Sequence, residues 1–278
     1  MRRPLGLMAL YLFTALSIVG FAVFGLHPER LTDLNPSALE FYSIAFRFFA
    51  VGQVAIAGLV MIVFLTRHAG LKWLSAFVAL YAISLTSELL GTTFGIPFGA
   101  YSYSAVLKPM WMDRVPVGIP LSWFYMAVPS YAIAMSLLRG ENAVRRIALA
   151  SFILLAWDLA LDPAMSSATK YWEWGETGPY YGMPLLNLVG WYVTGVVLMG
   201  ALAALKSDKW ISRLSVPWLT SFYGANLLLA LGICAAAGLW MAVIATFAAL
   251  SVALLAASIL GTPHIRMSPA DPGLRLIR

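Results

Sequence analysis

Residues 147–163 read Ile-Ala-Leu-Ala-Ser-Phe-Ile-Leu-Leu-Ala-Trp-Asp-Leu-Ala-Leu-Asp-Pro, an apolar run that ends in Asp158 and Asp162. The two aspartates are one helical turn apart, about 6 Å along the axis, and therefore share a face. Glu88 has a similar position near the end of another apolar run, residues 73–90. An ionisable side chain inside a membrane span is costly, so these carboxyl groups predict a functional site.

The composition is that of an integral membrane protein. Of 278 residues, 61% are hydrophobic and 11% are charged, whereas soluble domains contain about 25% charged residues. The chain is therefore predicted to be an all-α, polytopic helical bundle. We expect residues 1–278 to form a single transmembrane domain.

Apolar segments of about 20 residues, the length that crosses a bilayer, predict about eight transmembrane helices. They lie near residues 5–26, 40–65, 72–91, 117–138, 146–162, 184–205, 216–237 and 239–260.

Lysine and arginine residues divide unequally between the two sides of this arrangement. Thirteen are predicted on one side: Arg2, Arg3, Arg67, Lys72, Arg139, Arg145, Arg146, Lys206, Lys209, Arg213, Arg266, Arg275 and Arg278. Four are predicted on the other side: Arg30, Lys108, Arg114 and Lys170. By the positive-inside rule, the first side and both termini are cytoplasmic.

Two long loops on the predicted outer side, residues 92–116 and 163–183, are rich in aromatic residues, glycine and proline. Aromatic side chains at this density seek burial or an interface. We expect both loops to fold back over the bundle as a lid.

The predicted topology also sets the depth of each polar or aromatic side chain. With a rise of about 1.5 Å per residue, one group lies within roughly 10 Å of a single plane in the outer half. Its members are Arg47, Glu88, Trp123, Tyr125, Asp158, Asp162, Asn187, Trp191 and Tyr192. Residues of a shared site must lie at one depth, whereas residues with unrelated structural roles need not.

Simpler interpretations remain open for several of these residues. Asp162 precedes Pro163 at a helix end and could only mark the interface, and Glu88 could form a structural ion pair with Arg47. The tryptophans could be aromatic-belt anchors: Trp123, Trp157 and Trp191. The histidines lie at span ends or in loops, and no metal site is predicted from them: His27, His68 and His264.

Three chemistries compete for this arrangement. An aromatic prenyltransferase would use Asp-x-x-x-Asp with Mg²⁺ and a diphosphate, but it needs a second acidic motif and more cations than this side carries. A proton-linked or lipid transporter would also use buried carboxyl groups, usually nearer the midplane. Acid catalysis on a membrane-dissolved substrate uses every feature, because a carboxyl group in apolar surroundings stays protonated and aromatic faces stabilise cations.

At these residues the chain resembles the membrane-integral carotenoid hydratases that act on ψ-end groups, of the γ-carotene and bisanhydrobacterioruberin type. The resemblance covers about residues 85–205. It rests on Ser87-Glu-Leu-Leu-Gly91, Pro97-Phe-Gly-Ala-Tyr-Ser-Tyr103, Val115-Pro-Val-Gly-Ile-Pro120 with Trp123, Trp157-Asp-Leu-Ala-Leu-Asp-Pro-Ala-Met165, and Tyr180-Tyr-Gly-Met-Pro184 with Asn187, Gly190 and Trp191.

The resemblance implies water addition across the terminal isopropylidene double bond of an acyclic carotenoid end, as in lycopene or γ-carotene, without a redox cofactor. We expect Asp158 to be the acid, and Asp162, Glu88 or Asn187 to hold water. The expected substrate-binding residues are Arg47, Tyr101, Tyr103, Trp123, Trp157, Tyr181, Asn187 and Trp191. The expected location is the bacterial cytoplasmic membrane, with no nucleic-acid partner, and a transporter is the alternative.

Overall fold

The computed structural model describes residues 5–32, 34–138, 140 and 142–261. Its helices are α1 Leu5–Gly20, α2 Pro36–Ala69, α3 Leu74–Phe94, α4 Gly118–Leu137, α5 Ala143–Asp162, α6 Leu185–Ala204, α7 Asp208–Ile211, α8 Val216–Ala236 and α9 Trp240–Leu260. The short strands are β1 Tyr101–Tyr103, β2 Met110–Trp111, β3 Val115–Pro116 and β4 Trp172–Trp174. Several predicted positions lie outside the described residues: both chain termini, His264, Arg2, Arg3, Arg139, Arg266, Arg275 and Arg278.

The prediction of an all-α polytopic membrane bundle is confirmed. Within the described ranges, seven helical segments are long and apolar enough to cross a membrane: Leu5–Gly25, Pro36–Ala69, Leu74–Phe94, Ala143–Ala168, Leu185–Ala204, Val216–Ala236 and Trp240–Leu260. α4 is also 20 residues long, but its hydropathy falls short of that of these segments. The count of eight spans and the cytoplasmic position of the termini stay predictions.

Polar side chains fix the starts of three long helices by accepting a backbone N–H of the first turn. Asn35 accepts from Ala38 at 2.9 Å, and Asn142 accepts from Arg145 at 3.0 Å. Ser215 does the same at the start of α8. Because Pro36 follows the Asn35 cap and suits a first helical turn, α2 begins four residues before the predicted start at residue 40.

The predicted loop 163–183 requires the helix that carries the two aspartates to end at Asp162. In the structure the helix continues beyond this residue. Residues Pro163–Ala168 continue it as a π-helical segment. The Ser166 hydroxyl donates to the Asp162 carbonyl at 2.8 Å, and the Thr169 hydroxyl donates to the Ala164 carbonyl at 3.1 Å. These bonds serve carbonyl groups at the end of the helix, where regular partners run out.

α4 is the central helix of the bundle. It contacts α2, α3, α5 and α8, and every residue from 122 to 132 is buried. Protein surrounds this helix, so it can carry serine, tyrosine and proline where a lipid-facing helix would carry leucine or valine. The outer faces of α1, α6 and α9 are apolar and exposed, as expected for helices that contact lipid.

Neighbouring helices α5 and α6 run antiparallel. Asn187, near the start of α6, bonds to Asp158 and Asp162 near the end of α5. About two turns further along the pair, Gly195 of α6 lies against Ser151 of α5. The ends of α3 and α5 and the starts of α4 and α6 therefore meet at one end of the bundle, which we call the site end.

Residues 95–117 and 169–184 form a layer over the site end, here called the cap. β1 and β4 pair antiparallel, with Tyr101 opposite Trp174 and Tyr103 opposite Trp172. Gly190 of α6 allows the first of these segments to approach closely, because a Cβ there would lie 2.6 Å from the Pro97 carbonyl oxygen.

Candidate active site

A small cavity of about 40 Å³ lies beneath the cap at the site end. We call it the carboxyl cavity, because all three carboxyl groups singled out from the sequence line it. Asp158 and Asp162 are each 1% exposed and Glu88 is 4% exposed. The complete lining is Glu88, Phe98, Tyr101, Tyr103, Ile119, Ser122, Trp123, Asp158, Leu161, Asp162, Trp172, Trp174, Asn187 and Trp191.

Glu88 is held by three neutral donors. Its Oε1 accepts from the Trp123 indole N–H at 2.8 Å. Its Oε2 accepts from the Tyr103 hydroxyl at 2.8 Å and from the Tyr101 hydroxyl. Both oxygens of this buried group are therefore occupied, as a carboxylate that acts only as an acceptor requires.

The alternative of a Glu88–Arg47 ion pair is wrong in this structure. The Arg47 side chain is exposed and lies on a face of α2 with Ile44 and Phe48, which are 61% and 58% exposed. Arg47 also does not line the carboxyl cavity. The predicted depth of Arg47 says nothing about the side of α2 on which it projects, and that side faces away from the site.

Asp158 and Asp162 share a single amide group. The Asn187 nitrogen donates to Asp158 Oδ2 at 3.1 Å and to Asp162 Oδ2 at 3.2 Å. Asp162 Oδ1 also accepts from the Trp172 indole at 2.7 Å. Asn187 thus holds the two aspartates at a fixed separation, and the cap supplies a further donor to Asp162 alone.

Two polar atoms that border the cavity have no hydrogen-bond partner within the described part of the chain. They are Asp158 Oδ1 and Trp174 Nε1, and both are buried. An unpaired buried polar atom is costly unless water or a ligand satisfies it. A cavity of about this size has room for one or two water molecules, which can satisfy such atoms.

Three tryptophans form a continuous aromatic wall beside the aspartates. Trp123 and Trp191 are stacked with their ring centroids 4.0 Å apart, and Trp157 meets Trp191 edge-on at 5.9 Å. The indole N–H of Trp123 points to Glu88. An indole face with a carboxylate on its N–H edge is well suited to stabilise a positive charge.

The tyrosines of the cap act as donors over a wide pH range. Burial raises the pKa of Tyr101 and Tyr103 well above the usual value, and the adjacent Glu88 charge raises it further. Both hydroxyl groups therefore keep their protons at any physiological pH.

The structure brings together most of the residues expected to form the site. Glu88, Asp158 and Asp162 line one cavity together with Tyr101, Tyr103, Trp123, Asn187 and Trp191. Trp157 borders a neighbouring groove instead. Tyr181 lies elsewhere, where its hydroxyl accepts from the Met241 backbone N–H at 3.1 Å.

Sequence reasoning missed Trp172 and Trp174, which enter the carboxyl cavity from β4. Their aromatic character and their position in the predicted loop were visible, but their partners were not. Nothing in a three-residue strand predicts that Trp174 pairs with Tyr101 rather than with another part of the cap.

A second, larger cavity of about 520 Å³ adjoins the carboxyl cavity, and we call it the groove. It runs between α1, α2, α4, α5 and α8. Ile119, Ser122, Leu161 and Trp172 line both cavities and form the boundary between them. No charged side chain is present among the described residues that line the groove.

Within the described ranges, no group of three or more histidine, cysteine, aspartate or glutamate side chains is arranged to hold a metal ion. The donors to the carboxyl groups are instead indole, phenol and amide groups. The arrangement is suited to proton transfer and to stabilising a cation.

Comparisons with known proteins found a family model and a curated relative. A protein-family model described as "Carotenoid biosynthesis protein" matches residues 49–253. The chain is 33% identical over 165 residues to the bisanhydrobacterioruberin hydratase of Haloarcula japonica, an alignment that covers 59% of this chain and 54% of that protein. The chain thus spans about half the length of this relative. No solved structure matches the chain.

Proposed function

Because the chain belongs to the carotenoid biosynthesis protein family, we propose that it is a hydratase acting on an acyclic carotenoid end group. Water adds across the terminal isopropylidene double bond and gives a tertiary alcohol. The observation that carries this proposal is the buried, unpaired Asp158 Oδ1 at the edge of a water-sized cavity beside a tryptophan wall. The hydratase name of the relative supports the reaction class.

Asp158 is the proton donor in this proposal. Its carboxyl proton passes to the alkene carbon that carries hydrogen, which leaves the positive charge on the carbon that carries two methyl groups. Protonation of the double bond can form either of two cations, and the tertiary cation is the more stable one. Asp162 does not compete for this role, because Trp172 and Asn187 already donate to its two oxygens.

The aromatic wall stabilises the cation, and the carboxyl cavity supplies the water. The face of Trp157, which lines the adjoining groove, offers a negative quadrupole to the cation, and Trp191, Trp123 and the Glu88 charge lie behind it. Water held between Asp158 Oδ1 and Trp174 Nε1 attacks the cationic carbon. Its excess proton returns to Asp158, so the acid is regenerated and the net reaction consumes one water molecule.

Glu88 is a positioning residue in this scheme. Three donors already hold its two oxygens, whereas Asp158 Oδ1 has no partner in the described part of the chain, so we assign the water to Asp158. It fixes Trp123 and the two cap tyrosines, and it places a negative charge near the developing cation without becoming a nucleophile.

We further propose that the protein resides in the cytoplasmic membrane with both termini in the cytoplasm. The unequal distribution of lysine and arginine supports this orientation. A reporter inserted at residues 175–178 of the cap should be active only outside, and a reporter after Leu205 only inside. The opposite pattern would reject the orientation.

The test of the reaction is expression in cells that make lycopene, followed by mass analysis of the extracted pigment. Each hydrated end should add the mass of one water molecule. The visible spectrum should stay unchanged, because the terminal double bond is isolated from the conjugated system. Unchanged pigment mass, with the protein present in the membrane at normal level, would reject the hydratase and favour the transporter alternative.

A further inference from the structure

The groove differs from the carboxyl cavity in size and in chemical character. Its volume of about 520 Å³ falls in the range of about 300–1,000 Å³ typical of ligand sites. The carboxyl cavity, at about 40 Å³, has space for water only. An alkene that reaches the carboxyl groups must therefore arrive from the groove, across the boundary formed by Ile119, Ser122, Leu161 and Trp172.

The lining of the groove indicates the kind of molecule that fits it. Ten aromatic side chains line it, among them Phe46, Tyr125, Trp157 and Tyr171. Aromatic rings pack well against a flat π-system. A rigid conjugated chain also loses less conformational freedom on binding than a saturated acyl chain does.

The groove has an exposed apolar rim, its mouth, which includes residues of two candidate membrane spans, Leu5–Gly25 and Pro36–Ala69. Phe41 and Phe24, which line it, are 73% and 41% exposed. Leu34 on the same rim is also exposed. A strongly apolar molecule dissolved in the bilayer can therefore enter from the side without crossing water.

From these observations we propose that the groove is the binding site for the conjugated chain of the substrate. The reacting end lies at the boundary with the carboxyl cavity, and the remainder extends through the mouth into the bilayer. This inference rests on the proposed hydratase function and adds to it the binding site and the entry route. It follows that one end is processed per binding event and that the far end is not recognised.

Photocrosslinking tests this inference without requiring turnover. Phe46 lines the groove, whereas Phe48, two residues further along α2, is 58% exposed to the lipid side. Each is replaced in turn by p-benzoylphenylalanine in the full-length protein. The protein is then reconstituted in phosphatidylglycerol vesicles that contain lycopene, illuminated and analysed by mass.

The expected result is a lycopene adduct at position 46 and mainly phospholipid adducts at position 48. If the ratio of lycopene adducts to phospholipid adducts is the same at both positions, the groove is not a polyene site. Lycopene adducts at position 46 in a protein that leaves lycopene mass unchanged would uphold the groove and reject the hydratase.

A matched pair of glycine substitutions provides a second measurement. Gly20 lines the groove, and an added Cβ there meets nothing within 4 Å; Gly200 on α6 is equally free but lines neither cavity. In Gly20→Phe the ring fills the groove. This variant should raise the KM for lycopene at least tenfold and reduce the adduct at position 46, whereas Gly200→Phe should resemble the wild type. Equal behaviour of the two variants would overturn the inference.

Discussion

The two ends of the bundle hold carboxyl groups in different ways. Asp208, at the end opposite the site, pairs with Arg146 at 3.0 Å and accepts from the Tyr131 hydroxyl at 2.8 Å, and its side chain is 34% exposed. At the site end, Glu88, Asp158 and Asp162 are almost fully buried. No lysine, arginine or histidine in the described ranges forms an ion pair with any of these three.

This difference separates a structural carboxylate from a reactive group of carboxyls. A cation beside an acid ties its charge to the fold, as Arg146 does at Asp208. Neutral indole, phenol and amide donors orient a carboxyl group without fixing a counter-charge. The acids at the site end are therefore free to exchange a proton and to respond to a cation that appears during the reaction.

The largest expected effect is that of Asp158→Asn, which keeps shape and polarity but removes the transferable proton. Loss of a general acid costs about 10²–10⁴-fold in rate, and we expect the upper end because no other group initiates the reaction. Hydrated and unhydrated pigment are measured by mass at equal membrane levels of protein. Near-normal hydration would remove Asp158 from the mechanism and make Asp162 the next candidate.

Glu88→Gln should give the next largest effect, a loss of about 10–100-fold in turnover, because removing a charged hydrogen-bond partner costs about 1.5–3 kcal/mol. The amide nitrogen of the new glutamine is itself a donor, so it cannot accept the bond from whichever of Tyr101, Tyr103 and Trp123 it faces. Arg47→Met should be nearly silent, and the double variant should equal Glu88→Gln alone. Recovery of activity in the double variant would restore the ion-pair interpretation.

Trp172→Phe should have a smaller effect, because it removes only the indole donor to Asp162 and keeps an aromatic ring at the cavity boundary. One hydrogen bond to a charged group corresponds to a loss of about 10-fold. Trp111→Phe is a suitable control, since this exposed tryptophan of β2 borders neither cavity. If the two variants hydrate the substrate at the same rate, the bond to Asp162 is irrelevant to turnover.

The smallest effect is expected at the opposite end of the bundle. Arg146→Met should lower stability by no more than about 1 kcal/mol, because the pair is partly exposed. It should leave hydration unchanged. Thermal unfolding in detergent and pigment mass measure the two quantities separately. A large loss of hydration activity at normal stability would show that the paired Asp208 is not purely structural and would remove the distinction between it and the carboxyl groups at the site end.

The sequence predicted the membrane bundle and the grouping of the three carboxyl groups, because both depend on quantities that can be counted along the chain. Hydropathy located the helices, and residue number along each helix gave the depth of Glu88, Asp158, Asp162 and Asn187. These side chains do line one cavity. Depth was sufficient here because each lies on a helix whose end meets the others at one level.

The direction in which a side chain projects from its helix was not predictable. The sequence of α2 does not show which face contacts protein, so depth alone did not separate Arg47 from the side chains that line the carboxyl cavity. The pairing of β1 with β4 was equally hidden, because three-residue strands have too few residues to show a period. The groove was missed for the same reason, since it depends on which faces of five helices meet.

The central position of α4 has a consequence for the biosynthesis of the protein. As a predicted span, this helix enters the bilayer after α3 and before α5 has been made, although its hydropathy falls short of that of the candidate spans around it. Its serine and tyrosine side chains become enclosed only when α5 and α8 have arrived. Stable insertion of the helix that carries Trp123 is therefore coupled to completion of the chain, and a nascent chain stopped after residue 138 would hold this segment poorly in lipid.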